Sequence, residues 1–369
     1  MKKKKIFILI NSLWAWWAER VIINLADKLS ANYIVDLITL KDDCFFSIPK
    51  WVNYIPLSNT KNNILMIIQF PYYIFKFRNI LKKNSYDNWF SSLEISNFIN
   101  IIVNRKAIIC LEISLTFFKW FFWKLYFFLI KILYPIAYKI KVNSFENYYM
   151  TQDLLNIDEN KIEVIYNPVD LDKIWVLKNE KIDKKISDKL LKKRVFITVW
   201  RLVWQKNHKE ILKSLKTINK DFIYLIIWDW PERTYLEKLT KSLWLEKNIF
   251  FLWDKKNIFK YLNVSDYFLY SSLIEWFPNV LWEAMAVWVP IITSNFKTWA
   301  EEIIMWEFKW DIKKYPIIWK NGVLLSENNF QNDFKSIYNT LPDIKQNASI
   351  INNLKIENIT NKWIELMKL

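Results

Sequence analysis

Tyr267-Phe268-Leu269-Tyr270 reads as a short, wholly apolar strand, and Ser271-Ser272-Leu273-Ile274-Glu275-Trp276-Phe277-Pro278 as the loop that leaves it. Asn279-Val280-Leu281-Trp282-Glu283-Ala284-Met285-Ala286 then continues as a helix opened by Pro278-Asn279. A second apolar run, Pro290–Thr293, follows directly. Strands that are apolar on both faces and separated by helices imply right-handed βαβ units in a parallel sheet. The same alternation extends upstream through Val195–Val199, Phe222–Ile227 and Ile249–Leu252. It is also present in the first half, with strands at Lys5–Ile10, Tyr33–Leu40, Ala107–Leu111, Lys139–Ser144 and Ile162–Tyr166. Helical patterns at Ala18–Ser30 and Ile64–Lys82 lie between some of these. Trp175 to Arg194 is lysine-rich and polar and reads as a linker region. The prediction is an α/β protein of two doubly wound Rossmann-like domains facing a central cleft. Residues 1–175 form the first domain, 176–345 the second, and 346–369 a helix that packs back on the first. Ligands of such sheets bind at the carboxyl ends of the strands, where helix N-termini favour phosphate.

Composition narrows the classes. The 369 residues are 53% hydrophobic and 24% charged, which excludes a disordered chain. Two cysteines cannot build a disulfide framework, and a single histidine excludes histidine-ligated metal clusters. Glycine is the anomaly: there is one, Gly322, beside 22 tryptophans. Together they make about 6% of the chain, close to the roughly 7% that glycine alone usually takes. Many tryptophans also stand where turns need a residue without a Cβ, as in Trp14-Ala15-Trp16-Trp17, Trp228-Asp229-Trp230-Pro231 and Trp244. Some genetic codes read UGA as glycine and others as tryptophan. The expectation is that most of these tryptophans are glycines in the natural protein, with Trp123 and Trp363 as candidates for genuine ones. The competing reading is a tryptophan-rich chain that stacks on sugars or sits at a membrane interface.

The formal net charge is +16. It reflects in part a composition rich in Lys, Ile, Asn, Phe and Tyr, and in part attraction to an anionic membrane surface. The segment Met1 to Ile10 imitates a signal peptide, but its apolar run is short and no small-residue cleavage site follows, so it reads as a first buried strand. Leu115 to Tyr138 is dense in Phe, Leu and Ile, yet Lys119, Lys124, Lys131 and Pro135 interrupt it. It is too broken to span a bilayer. A buried core helix and a monotopic membrane contact both fit it.

Three motifs carry chemistry. Trp14-Ala15-Trp16-Trp17-Ala18-Glu19-Arg20-Val21 joins the first strand to the first helix. With glycine at the tryptophans, its bare backbone admits a diphosphate or an acceptor. Alternatively it is a tight turn of no functional meaning. In Val199-Trp200-Arg201-Leu202-Val203-Trp204-Gln205-Lys206-Asn207-His208 two cations follow a strand end, five residues apart. Arg201 can grip a diphosphate through two N–H groups and Lys206 adds a point charge. Solvated surface cations would look the same, and His208 reads as structural. In the third motif, Glu275 lies in the loop and Glu283 on the helix eight residues later. Two carboxylates can hold sugar hydroxyls there while loop amides cradle phosphate. A helix-start charge and an exposed helical acid are the bland alternative.

This last block, E-x-F-P-N-V-L-x-E-A-M-A with Val289-Pro290 and Trp299-Ala300-Glu301-Glu302-Ile303, resembles the retaining nucleotide-sugar glycosyltransferases of family 4. With glycine restored, V-G-R-L-x-x-x-K, G-D-G-P and Y-N-P-V-D fall in the family's order, from the N-terminal loop to about Leu325. The resemblance implies the GT-B fold, with an acceptor-binding first domain and a donor-binding second domain. It implies that Glu275, Glu283, Arg201 and Lys206 form the catalytic set. Donor binding would draw on Trp16, Trp17, Trp200, Arg201, Lys206, Phe277, Pro278, Asn279, Val280, Leu281 and Glu283. Arg201 and Lys206 would carry the leaving diphosphate, Glu283 the ribose, and Glu275 the transferred sugar. No metal and no cofactor is implied; the donor is a nucleotide-sugar, most simply a UDP-sugar. The acceptor would be a lipid-linked glycan or cell-surface polysaccharide, at the inner face of the cytoplasmic membrane. No nucleic-acid partner is expected, since no nucleic-acid motif is present; a basic nucleic-acid-binding protein is the third class, and steeply salt-dependent duplex binding would mark it. A GDP-mannose-dependent mannosyltransferase, or a non-catalytic GT-B-like protein with real tryptophans in the cleft, are the alternatives. Many relatives place a histidine in the first domain near the sugar. This chain has none there, and Glu112 occupies roughly that region.

Overall fold

A computed structural model describes residues 3–14, 17–112, 115, 124–228, 231–253, 255–275, 277–296, 300–306, 314–341, 344 and 348–368. The chain divides into two compact units. One is Met1–Pro168 with Leu354–Leu369, the other Val169–Asn353.

Among the described residues, the first unit is built on seven strands: β1 (Lys5–Ile10), β2 (Ile34–Thr39), β3 (Val52–Pro56), β4 (Asn88–Ser92), β5 (Ile108–Leu111), β6 (Lys139–Val142) and β7 (Ile162–Val164). Their order is β3-β2-β1-β4-β5-β6-β7, all parallel. Ile6 to Ile10 are all fully buried, as a central parallel strand covered on both faces requires. The helix Trp17–Ser30 follows β1, and the C-terminal helix Ile356–Met367 packs against it. The Trp363 ring lies 4.2 Å from that of Phe90 in β4, and Lys28 pairs with Glu357 at 2.7 Å.

The second unit repeats the plan with β8 (Arg194–Val199), β9 (Phe222–Ile227), β10 (Ile249–Leu252), β11 (Tyr267–Tyr270), β12 (Ile291–Ser294), β13 (Ile317–Trp319) and β14 (Gly322–Leu325). The order is β10-β9-β8-β11-β12-β14-β13, parallel except for the β13–β14 hairpin. Both units are thus doubly wound parallel-sheet α/β units of the expected class.

Two local expectations are corrected. The supposed linker from Trp175 to Arg194 contains the helices Leu171–Lys178 and Lys184–Leu190, each started by an aspartate side chain, Asp170 and Asp183. The helical pattern Ile64–Lys82 is two helices, Asn63–Ile68 and Phe70–Lys83, because Pro71 sits in the first turn of the second. In the aromatic segment 115–138, residues 116–123 lie outside the described set. The helix Lys124–Leu133 buries Ile130 while Leu125, Phe128 and Ile132 face outward.

Among the described residues, four tryptophans take backbone conformations that suit glycine: Trp228 (φ 131°), Trp244 (φ 59°), Trp288 (φ 68°) and Trp306 (φ 58°). Two of them end helices in the same way. After Arg233–Ser242, the Trp244 amide bonds to Lys241 O (3.0 Å) and the Leu245 amide to Thr240 O (3.1 Å). After Asn279–Ala286, the Trp288 amide bonds to Met285 O (3.0 Å) and the Val289 amide to Ala284 O (3.0 Å). Both are Schellman motifs with tryptophan in the left-handed position where glycine is the usual residue. The one encoded glycine, Gly322, stands where a Cβ would lie 1.9 Å from the carbonyl oxygen of Ile291 on β12. No side chain fits there.

Candidate active site

β8 and β11 are neighbours in the second sheet, so the loops leaving their carboxyl ends lie side by side. They are bonded to each other. Leu273 N donates to Gln205 O (2.9 Å) and Gln205 Nε2 to Ile274 O (2.6 Å). Ser271 Oγ reaches Lys206 O (3.1 Å) and Asn207 O (3.0 Å), and Ser272 Oγ reaches Gln205 O (3.2 Å). Trp204–Lys206 is a single 3-10 turn, and Asn207 in the left-handed region (φ 52°) turns the chain into the helix His208–Lys216. Asparagine tolerates that conformation better than most residues.

This scaffold joins two of the predicted residues. Lys206 Nζ lies 2.6 Å and 2.7 Å from the two Glu275 carboxylate oxygens, with both side chains buried. The Tyr270 hydroxyl donates to the same carboxylate. The ammonium also lies 4.0 Å from the centre of the Trp200 ring. Burial pulls the Lys206 ammonium down to about 8, against the opposing pull of Glu275. Arg201 is half-buried and its carbonyl accepts from His208 Nε2 at 3.2 Å. Burial lowers His208 to about 4, so the imidazole is neutral and acts as a strut for the Arg201 backbone.

Phe277 to Leu281 are buried at the start of the helix Asn279–Ala286, and Glu283 is buried one turn further along. Pro278 stands at the N-cap and no side chain caps this end. An anion placed there meets the positive end of the helix dipole. Phe277 stacks on Trp282 with ring centres 6.2 Å apart. Of the remaining predicted donor residues, Trp16 lies outside the described set. Trp17 opens the helix Trp17–Ser30 in the first unit, and its side chain is not among those described. A polar hollow of about 730 Å³ lies elsewhere on the second unit, lined by Lys193, Arg194, Asp266 and Trp288 among others. It forms where β8, β11 and β12 begin. Ligands of such sheets bind where strands end, so it is not the candidate site.

Residues 18–173 match the family described as Glycosyltransferase Family 4, and residues 179–353 match Glycosyl transferases group 1. The chain belongs to these glycosyltransferases. It is 27% identical over 310 residues to the N-acetylgalactosamine-N,N'-diacetylbacillosaminyl-diphospho-undecaprenol 4-alpha-N-acetylgalactosaminyltransferase of Campylobacter jejuni, covering 81% of this chain and 83% of that one. Among solved structures, Anabaena Alr3699/HepE in complex with UDP aligns with TM-score 0.75 at 17% identity, over 99% of each chain. Sucrose-phosphate synthase from Thermosynechococcus elongatus aligns with TM-score 0.76 at 15% identity, over 99% of this chain and 98% of that one. The fold of this glycosyltransferase is therefore GT-B.

Sequence reasoning passed over several groups that shape the candidate site. Tyr270 closes an all-apolar strand, and its hydroxyl at the carboxyl end was the available signal. Ser271, Ser272 and Gln205 act through backbone carbonyls of the facing loop. Those bonds depend on β8 and β11 being adjacent, which local sequence does not display.

Proposed function

We propose that the enzyme transfers a sugar from a nucleotide-sugar, most simply a UDP-sugar, to a lipid-linked glycan or cell-surface polysaccharide, with retention and without a metal ion. The observation that carries this reading is the buried Lys206–Glu275 pair, held beside Arg201 by the bonded loops of β8 and β11. Lys206 and Arg201 take the diphosphate charge and stabilise the departing nucleoside diphosphate. Glu275 and Glu283 take sugar and ribose hydroxyls, and the uncapped helix start takes phosphate oxygens. Attack occurs on the face that the leaving group departs, with the leaving phosphate accepting the proton. The Campylobacter relative's diphospho-undecaprenol substrate and the UDP bound to the Anabaena protein support the choice of acceptor and donor.

The Lys206 ammonium sets a pH test. Its charge is present below about pH 8 and lost above it. UDP affinity, measured by calorimetry, is expected to hold up to that pH and then fall, by as much as about tenfold per pH unit. Lys206 in the unfolded chain keeps its proton to about pH 10.4. Over that window the unfolded state binds more protons, so this group's contribution to stability rises with pH while affinity falls. Affinity that is flat to pH 9.5 would remove Lys206 from the diphosphate site.

A peripheral contact with the inner face of the cytoplasmic membrane belongs to the same reading. Ile64, Ile67 and Ile68 on one short helix, and Leu125, Phe128 and Ile132 beside Lys124 and Lys131 on another, are exposed in the first unit. Such faces suit insertion at an anionic lipid surface. Among the described residues no helix is long and apolar enough to cross a membrane. The protein is expected to float with phosphatidylglycerol vesicles but not with phosphatidylcholine vesicles, and Ile64→Ser with Ile67→Ser and Ile68→Ser to float less. Equal flotation of the triple variant would discount that helix.

We also infer that the natural protein has glycine at most tryptophan positions. The two Schellman motifs and the positive φ values support this. Trp244→Gly and Trp288→Gly are each expected to raise stability by about 1 kcal/mol, the left-handed penalty of a side chain less the flexibility of glycine. Urea unfolding midpoints that fall instead would count against it.

A further inference from the structure

The carboxyl edge of the first sheet carries a group of carboxylates that the donor chemistry does not use. Glu19 lies in the first turn of the helix after β1, Glu94 opens the helix after β4, and Glu112 follows β5. With the order β1-β4-β5-β6, they follow three adjacent strands. Glu112 is locked in place: Lys141, buried in β6, donates to its Oε1 at 3.0 Å, and Asn143 Nδ2 donates to its carbonyl at 3.3 Å. Lys41, whose charge acts on Glu19, is engaged by Asp43 at 3.1 Å and Asn63 at 2.8 Å. Glu19 itself is different. It is 4% exposed, and its Oε2 is buried with no hydrogen-bond partner.

A buried carboxyl oxygen without a partner costs on the order of 1–3 kcal/mol or more. Such a group at the carboxyl edge of a parallel sheet points to a ligand that completes it. The ligand is not a phosphate, because Lys141 and Lys41 are already engaged, by Glu112 and by Asp43 and Asn63, and the acids offer an anion nothing to pair with. It is a neutral donor of hydrogen bonds. Burial raises both Glu19 and Glu94 to about 7, so near neutral pH they can accept from a hydroxyl or donate to one.

We propose that Glu19, with Glu112 beside it, binds hydroxyl groups of the acceptor sugar in the first unit. This rests on the glycosyltransferase reading above and assigns the acceptor side of it to particular residues. Glu19 acts as a binding group with an open oxygen, and Glu112 as the carboxylate that Lys141 fixes.

The test separates the two sides. A panel of methyl glycosides, hexoses and N-acetylhexosamines, is screened against the full chain by saturation-transfer NMR, and UDP binding is measured on the same samples. At least one glycoside is expected to bind, and Glu19→Ala to weaken it about tenfold, as expected for a lost hydrogen bond to a charged group. UDP affinity should not change. Glu19→Gln, nearly isosteric, is expected to melt at or above the wild-type temperature, since it removes a buried acid that lacks a partner. The proposal is overturned if no glycoside binds, if Glu19→Ala binds it equally, or if Glu19→Gln melts well below wild type. Loss of UDP binding in the wild-type chain would instead overturn the donor reading.

Discussion

Glu283→Ala is expected to reduce sugar transfer at least a hundredfold while the protein remains folded. The carboxylate is buried on the helix Asn279–Ala286, beyond the end proposed to receive the donor phosphates. Two hydrogen bonds from ribose hydroxyls to a charged acceptor contribute about 1.5–3 kcal/mol each. Their combined loss corresponds to two or more powers of ten in donor affinity and turnover. Initial rates with a radiolabelled nucleotide-sugar measure this, and circular dichroism checks the fold. Transfer at the wild-type rate would remove Glu283 from the donor site.

A chain carrying glycine at positions 14, 16, 17, 200, 228, 276 and 288 is expected to transfer sugar at least a hundredfold faster than the tryptophan chain. The physical case is clearest at Trp200. Its ring centre lies 4.0 Å from Lys206 Nζ, so an indole covers the ammonium that the proposed diphosphate site uses. Desolvated cation–π contact of this kind contributes roughly 2 kcal/mol or more, which a ligand phosphate has to displace. Glycine removes that competitor and lets backbone amides approach the phosphate directly. The expected stabilisation from Trp244→Gly and Trp288→Gly has a separate origin, in backbone conformation alone. Peptide masses of the protein from its natural host, with the codons at these positions, give an independent check. Glycine masses over UGA codons are expected. Tryptophan masses over UGG codons would mean that the phosphate loops are blocked, leaving a GT-B scaffold with another role.

The two parallel sheets were legible because most of their strands are uninterrupted apolar runs, such as Ile6–Ile10 and Phe222–Ile227. β4 was not, although it lies at the centre of its sheet. Its Ser91 and Ser92 are fully buried, and Ser91 is satisfied by Asn97 (2.8 Å) and Asn100 (3.1 Å) from the following helix. A polar strand end looks like a loop until that helix is in place. β3 escaped for a related reason, with Asn53 and Pro56 breaking the pattern at a sheet edge. The helices between Trp175 and Arg194 are hidden in the sequence because lysine-rich surface helices and solvated loops share a composition.

In the candidate site, the pairing of Lys206 with Glu275 was not readable from the sequence. Lys206 and Glu275 are 69 residues apart and meet only because β8 and β11 are neighbours. Glu19 carried no signal of its own, since an acid in the first turn of a helix is ordinary. Its burial and its open oxygen emerge only in three dimensions.

Sugar transfer itself is the most direct measurement. The protein, in both tryptophan and glycine forms, is incubated with an undecaprenyl-diphosphate-linked glycan and a panel of UDP- and GDP-sugars, and the lipid product is weighed by mass spectrometry. A gain of one sugar residue from a UDP-sugar, with the anomeric configuration of the donor retained, is the expected result. No mass gain from any donor with either form would contradict the assignment of this site to glycosyl transfer.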